Sequence, residues 1–374
     1  MKKLHAAALA ALTICLPALA PAAAEEMVFP QDDWEEAAPE SQGVDAAGLQ
    51  AAIAWLKDNV GKDGTSELVV VRNGRLIWKG ENIDKVHGVW SLTKSFTSTA
   101  LGLLIDDGKA SLDTPACDHV PVLAARYGGV TLRHFTTMTS GYRAVGDEPR
   151  GGYLHGPSET PLVPGPELLF EPPGSRYAYW DSAMNQFGNV LSRVAGEPLE
   201  ELLKRRIADP IGMKRQHWDW GDRGEVEGIV VNSGSGNGGQ HVQISAREAA
   251  RFGHLFLNRG NWNGRQLISE RWVAEATAVQ VPASLAWAQP ESQIDGRGVY
   301  GYNWWVNGIK ADGKRKWPGA PEGTFAGIGF NNNQCFVIPE WKMVVVRLGL
   351  DGNVPDDVWS TFFSKLAAAI EEGR

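Results

Sequence analysis

Cysteine is scarce in this chain: three in 374 residues, one of them, Cys15, inside the apolar N-terminal run. A disulfide scaffold is therefore excluded as the device that organises the fold. Cys117 and Cys335 remain, and their separation in sequence says nothing of their distance in space. A bonded pair and two buried free thiols both stay open, the free thiols being the simpler expectation. Positive charge is also in deficit. The 36 Lys and Arg against 44 Asp and Glu give a net charge of -8, which argues against a nucleic-acid partner. The eight histidines include no His-Glu-x-x-His and no tight ligand cluster, so no metal is implied. Repeats and low-complexity tracts are missing. Gly234 to Gly239 matches G-x-G-x-x-G, but without a clear βαβ unit or a well-placed ribose acid, so neither a dinucleotide site nor any other cofactor is expected.

Long hydrophobic runs are missing too, except at the start. Lys2 and Lys3 precede an apolar run rich in Ala and Leu, followed by small residues at Ala22 and Ala24. That is the layout of a secretory signal peptide cleaved after Ala24. The alternative, an N-terminal anchor, needs about 20 apolar residues, more than this Pro17-containing run supplies. The expectation is a periplasmic or secreted protein, residues 25–374, with no stable membrane insertion after cleavage.

Tryptophan is abundant, with 15 copies. Many must serve a core, and each indole N–H needs a partner. Residues 45–59 read as an amphipathic helix with Leu49, Ile53 and Leu56 at helical spacing. Leu68 to Val71 and Leu76 to Trp78 flank Asn73-Gly74, a strong hairpin signal. Residues 92–107 read as a second helix closed by Gly108. From about 110 to 300, helical stretches (Asp181 to Val194, Leu199 to Ile207) alternate with Gly/Pro-rich loops, the longest at residues 146–166. Ser245 to Glu248 reads as a capping box ahead of a helix reaching Leu257. Strands return at Gly323 to Ile338 and Met343 to Leu348, and a last helix covers about Asp357 to Ile370. Strand signals at both ends with helical material between them predict an α+β fold. One antiparallel sheet is built from both chain ends and covered by helices, with a mainly helical region inserted at roughly 110–300.

Ser91-Leu-Thr-Lys94, the only Ser-x-x-Lys in the chain, opens the second helix. At i and i+3 the two side chains share a face. A serine hydroxyl needs a nearby base to become a nucleophile. A helix N-terminus adds positive potential and free N–H groups for a developing oxyanion. The bland alternative is an N-cap serine beside a solvated lysine.

The segment VWSLTKSFTSTALGLLIDDGKASLD resembles the first active-site motif of the serine β-lactamase and penicillin-binding-protein superfamily. The likeness is to its class C branch, with family VIII esterases and 6-aminohexanoate-dimer hydrolases. TLRHFTTMTSGY and PPGSRYAYWDSAMNQFGNVLSRVAGEPLEELLKRRIADPIGM resemble that branch in order, so the likeness spans roughly residues 40 to 370. The resemblance implies a β-lactamase/transpeptidase-like fold, Ser91 as acyl-accepting nucleophile, Lys94 as its base and Tyr179 as proton relay to the leaving group. The family's Tyr-x-Asn reads Tyr179-Trp180-Asp181 here. An ionised carboxylate only accepts hydrogen bonds, and beside Lys94 it would oppose loss of the lysine's proton. Asp181 therefore either points elsewhere or tunes the site differently. The third motif, Lys-Thr-Gly or His in place of Lys, is placed at Phe325-Ala326-Gly327. The Ile328 N–H then joins that of Ser91 as oxyanion hole, and Gly327 and Gly329 allow close approach of the strand. Phe325 supplies no cation for a substrate carboxylate. Trp180 is a candidate for stacking on an aryl group. The resulting expectation is a serine hydrolase acting on a small-molecule ester or amide. A β-lactamase or DD-peptidase and a non-catalytic cell-envelope binding protein are the alternatives.

Overall fold

The structure is a computed structural model that describes residues 27–147, 159–236, 239–289 and 294–370. The export segment at 1–24, residues 148–158 of the long loop and positions 237–238 of the glycine-rich stretch lie outside the described residues. The elements that position the site are α1 (Ala46–Asn59), β1 (Leu68–Arg72), β2 (Arg75–Lys79), α2 (Thr93–Asp106), α3 (Asp181–Ala195), α4 (Ala246–Leu257), β3 (Trp305–Val306), β4 (Phe325–Gly329), β5 (Asn333–Ile338), β6 (Met343–Arg347) and α5 (Asp356–Ala369).

Six strands form one sheet in the order β3-β4-β5-β6-β1-β2, and each neighbouring pair is antiparallel. The sheet is thus built from both parts of the chain, as the strand signals predict. The β1–β2 turn carries positive φ at Asn73 (51°) and Gly74 (80°), the conformation a two-residue hairpin demands. The stretch read as one run from Gly323 to Ile338 is two strands. Phe330, Asn331 and Asn332 separate them, with φ of 63° and 57° at the two asparagines, a conformation Asn tolerates better than most residues.

β5 is buried along its whole length because helices cover both of its faces. Its side chains alternate with the period of two that a strand imposes. Cys335 and Val337 face Gly253 of α4, where even a Cβ would lie 2.9 Å from the Cys335 sulfur. Phe336 faces α5, with ring centroids 5.0 Å from Trp359 and 4.8 Å from Phe363. α1 packs against α5, tied by a 2.7 Å bond from the Asp45 N–H to the Ala369 carbonyl. Cys117 and Cys335 are both free thiols, and burial pushes that of Cys335 up to about 12.

α2 runs behind the sheet and is buried from Thr93 to Leu104. A helix rich in Ser and Thr can be buried only if the hydroxyls find partners. Thr97 and Thr99 bond back to the carbonyls four residues earlier, and Ser95 donates to the Asn303 carbonyl at 3.1 Å. Phe96 stacks on Phe252 of α4 at 4.1 Å. α4 itself departs from the expected reciprocal cap. Ser245 caps the Glu248 N–H at 3.4 Å, but the Glu248 carboxylate lies 3.5 Å from the Arg251 guanidinium instead of returning to the cap. Among the described residues, no helix is long and apolar enough to cross a membrane.

Candidate active site

Ser91 does not start α2. It sits in a single 3-10 turn, Trp90–Leu92, that leads into the helix at Thr93. Trp90 has φ of 52°, an uncommon value for a bulky residue that calls for support from its surroundings. Several contacts supply that support. The Val89 N–H donates to the Val242 carbonyl and the Val242 N–H to Thr93 Oγ1, both at 3.0 Å. Two glycines then let backbone close on the turn. A Cβ on Gly236 would lie 2.2 Å from the Trp90 carbonyl carbon, and one on Gly329 would lie 2.0 Å from the Val89 carbonyl oxygen.

The helical spacing of Ser91 and Lys94 has the predicted consequence. Lys94 Nζ donates to Ser91 Oγ at 2.8 Å. It also donates to Asp181 Oδ1 at 2.7 Å and to Ser235 Oγ at 3.0 Å. Ser235 Oγ in turn donates to the same Asp181 oxygen at 2.5 Å. Asp181 therefore does not point elsewhere: it is the first residue of α3 and lies directly on the lysine. Lys94 and Asp181 are each only 1% exposed, so their ion pair stands in a medium where loss of one partner is strongly destabilising.

Tyr179 completes the group. Its ring lies 4.6 Å from Lys94 Nζ, and its hydroxyl is hydrogen-bonded to Ser91. Burial, and secondarily the Asp181 charge, raises the phenol well above its ordinary value, so it rests protonated at neutral pH and is suited to give a proton. Tyr300, edge-on to Tyr179 at 6.3 Å, is raised in the same way by burial. His241 is lowered by burial and uses its Nδ1–H on the Gly236 carbonyl at 2.8 Å. The Arg223 guanidinium is lowered by burial and held up in part by the charge of Asp181, which puts a cation within electrostatic reach of the site.

β4 brings the third predicted region alongside. Strand parity fixes which way its backbone faces. The Thr324 carbonyl accepts from the Asn307 N–H on the β3 side, and N–H and C=O groups alternate sides along a strand. Ala326 and Ile328 therefore face that side as well. β3 pairs only with Phe325 and Ala326, so the Ile328 N–H emerges past its end. The opposite parity turns the N–H and C=O groups of Gly327 and Gly329 toward β5, while the sheet face that these glycines share meets the nucleophile turn, where a Cβ on Gly327 would lie 3.2 Å from Leu92 and 3.0 Å from Ser95. These glycines serve the approach of strand to turn. Phe325 shares their parity and is buried edge-on to Trp304 at 5.5 Å.

Two predicted neighbours of the substrate are placed otherwise. Phe325 is packing, as just described. Trp180 is 1% exposed, and its indole N–H donates to Asp147 Oδ2 at 2.8 Å. Asp147 also accepts from Ser182 and from the Ala144 N–H. This buried acceptor draws the indole inward, so Trp180 offers no ring face for stacking. Conversely, sequence reasoning missed Ser235. It lies in the Gly-Ser-Gly stretch that matches, without its context, a dinucleotide-binding motif. The signal was present in the small residues on either side. A Cβ on Gly234 would lie 1.9 Å from the Met184 carbonyl of α3, and it is this packing that inserts Ser235 between α2 and α3.

A Ser-Lys-Tyr group on the sheet edge of this α+β fold defines the β-lactamase and penicillin-binding-protein class of serine-hydrolase-like enzymes. The family model described as Beta-lactamase matches residues 52–351, and the chain belongs to that family. Over 355 residues it is 22% identical to the 6-aminohexanoate-dimer hydrolase of Paenarthrobacter ureafaciens, covering 84% of this chain and 80% of the relative. Over 143 residues it is 32% identical to the D-alanyl-D-alanine-carboxypeptidase/endopeptidase AmpH of Escherichia coli K12, covering 35% and 36% of the two chains. Among solved structures, it is similar to a family VIII carboxylesterase with a TM-score of 0.63 at 18% identity, covering 87% of this chain and 98% of that one.

Proposed function

We propose that the protein is an exported serine hydrolase that cleaves an ester or small amide through an acyl-enzyme. The observation that carries this reading is the contact of Lys94 Nζ with Ser91 Oγ at 2.8 Å, with the Tyr179 hydroxyl bonded to the same serine. Ser91 attacks the carbonyl carbon and Lys94 takes its proton. The N–H groups of Ser91 and Ile328 hold the oxyanion, a type of contact that is usually the largest single contribution to such catalysis. Tyr179 protonates the leaving group, and water then releases the acyl group.

Two features favour esters and small amides over β-lactams. Phe325 supplies no charge for a substrate carboxylate. Two similar proteins carry names outside the β-lactams, a 6-aminohexanoate-dimer hydrolase and a family VIII carboxylesterase. Labelling tests the reading. A fluorophosphonate adds one adduct to Ser91 in the folded protein, visible by intact mass spectrometry, and Ser91→Ala removes it. A folded wild type that takes up no adduct refutes the enzyme.

A further inference from the structure

Lys94 as an ammonium has three hydrogens, and three acceptors surround it: Ser91 at 2.8 Å, Asp181 at 2.7 Å and Ser235 at 3.0 Å. In that state it has no lone pair to offer Ser91. To act as base it must first lose a proton, and of the groups around it only Ser91 is partly exposed. Lys94 and Asp181 are 1% exposed and Ser235 is fully buried, so these side chains give the proton no direct path to bulk solvent. The Asp181 carboxylate is the nearest acceptor.

We propose that Lys94, Asp181 and Ser235 form a closed proton store, in which Asp181 takes a proton from Lys94 to free the amine and later returns it. The inference rests on the reading of Ser91 as nucleophile and assigns Asp181 and Ser235 as positioning residues acting through the lysine. In the direct route the Nζ–H bond breaks and an Oδ1–H bond forms across 2.7 Å. In the relayed route Lys94 gives its proton to Ser235 Oγ while Ser235 gives its own to Asp181 across 2.5 Å, and Ser235 ends as a hydroxyl again. Either way an ammonium and a carboxylate become an amine and a carboxylic acid with no change in net charge. A low-dielectric site favours that exchange, since it removes two buried charges at once.

Rotation about Cε–Nζ then turns the lone pair to Ser91. As the Ser91 Oγ–carbon bond forms, the serine proton moves to Nζ. When the tetrahedral intermediate collapses, that proton passes through Tyr179 to the leaving group. Asp181 returns the stored proton afterwards.

Four other titratable groups feel this cluster: Tyr179, Tyr300, Arg223 and His241. Burial keeps both phenols protonated and His241 neutral near neutrality, and arginine stays charged. None of them changes charge between about pH 7 and pH 9, so none of them adds a slope in that window.

The store predicts an unusual pH dependence, because filling it exchanges no proton with solvent. The test is the burst of p-nitrophenol released from p-nitrophenyl acetate on acylation, followed by stopped flow across that window. The wild-type acylation rate is expected to be flat. In Asp181→Asn the lysine loses both its counter-charge and its internal acceptor and must give its proton to solvent, so acylation acquires a pH dependence that wild type lacks and falls below wild type at the acid end of it. Ser235→Ala loses the relay but keeps the direct route: it stays flat at a severalfold lower rate. A wild-type rate that climbs tenfold per unit, or an Asp181→Asn variant as flat and fast as wild type, overturns the store while leaving the acyl-enzyme intact. The absence of any burst from folded wild type removes the acyl-enzyme reading and the store with it. Should Asp181→Asn fail to fold, the wild-type slope and Ser235→Ala still decide.

Discussion

Gly329 stands against the carbonyl of Val89 so closely that a Cβ there would lie 2.0 Å from the oxygen. The contact fixes β4 to the turn that carries Ser91, and with it the position of the Ile328 N–H. Gly329→Ala must push strand and turn apart, which costs about 1–3 kcal/mol of stability. On the proposed role of the Ile328 N–H it also moves one oxyanion donor off target, and removing such a donor lowers kcat by about 100- to 1,000-fold. Gly327→Ala is the control, because its neighbours at 3.0 Å and 3.2 Å are side-chain atoms, Ser95 Oγ and Leu92 Cγ, where Gly329 meets a backbone carbonyl. We expect the first variant to fold and lose most activity, and the second to lose little. Equal activities in the two variants would detach β4 from the chemistry.

Tyr179 gives a second prediction, in which the leaving group is the probe. Burial holds its phenol protonated, and a hydroxyl in that state helps most where the departing group needs a proton. p-Nitrophenolate leaves without one, whereas an alkyl amine cannot. Tyr179→Phe is expected to reduce kcat by about 100-fold or more for a small amide substrate and by about tenfold or less for p-nitrophenyl acetate. Steady-state kinetics on one preparation measures both. An equal loss on the two substrates would make Tyr179 a structural residue.

Much of this site is legible in the sequence because it depends on short-range geometry. Ser91 and Lys94 meet because three residues make nearly one turn, and Asp181 follows Tyr179 by two. The antiparallel sheet is legible from its apolar runs and from Asn73-Gly74. The misplaced residues share a different cause. Trp180 turns to Asp147, 33 positions away, and no local pattern encodes that bond. Ser235 reaches Lys94 across 141 positions, through glycines whose purpose emerges only when α3 and the nucleophile turn press on them. The break at Asn331 and Asn332 lies between two apolar runs, Phe325 to Phe330 and Cys335 to Ile338, whose shared β character masks it, although the asparagine run is itself a turn signal.

Stability toward acid should carry the mark of His254. Its ring is packed among Phe29, Trp34 and Trp262, with the Nε2–H on the Val28 carbonyl at 2.9 Å. Burial lowers it from 6.5 to about 4. A histidine lowered in the native state binds its proton more readily when unfolded. Its contribution is therefore present above about pH 6.5 and is lost as pH falls toward about pH 4, by up to roughly 3 kcal/mol. His254→Gln retains an N–H for Val28 and cannot titrate. Denaturant unfolding at several pH values should show a shallower acid decline in the variant. Parallel curves for the two proteins would assign the acid sensitivity to other groups.

Substrate class is the sharpest remaining test. With the third motif placed at Phe325-Ala326-Gly327, a β-lactam or a D-alanyl-D-alanine peptide would bring its carboxylate next to Phe325, whose aromatic side chain lies buried against Trp304. A carboxylate drawn into a closing site without a cation forgoes about 1.5–3 kcal/mol of charge-assisted hydrogen bonding. An ester of a short acid carries no such charge. Hydrolysis of p-nitrophenyl acetate or butyrate is therefore expected to exceed turnover of a chromogenic cephalosporin by at least about tenfold in kcat/KM, with no release of D-alanine from D-alanyl-D-alanine peptides. The electrostatics identify the group that would break this expectation. Arg223 is close enough to feel Asp181, and a guanidinium pairs with a carboxylate in bidentate fashion. If cephalosporin turnover matches the ester rate, Arg223→Gln should abolish the cephalosporin activity and spare the ester. That result would reassign the carboxylate contact from β4 to the strand at Asp222–Val226. If instead both substrates respond alike to Arg223→Gln, the arginine acts on Asp181 and not on the substrate, and the preference for esters stands on Phe325.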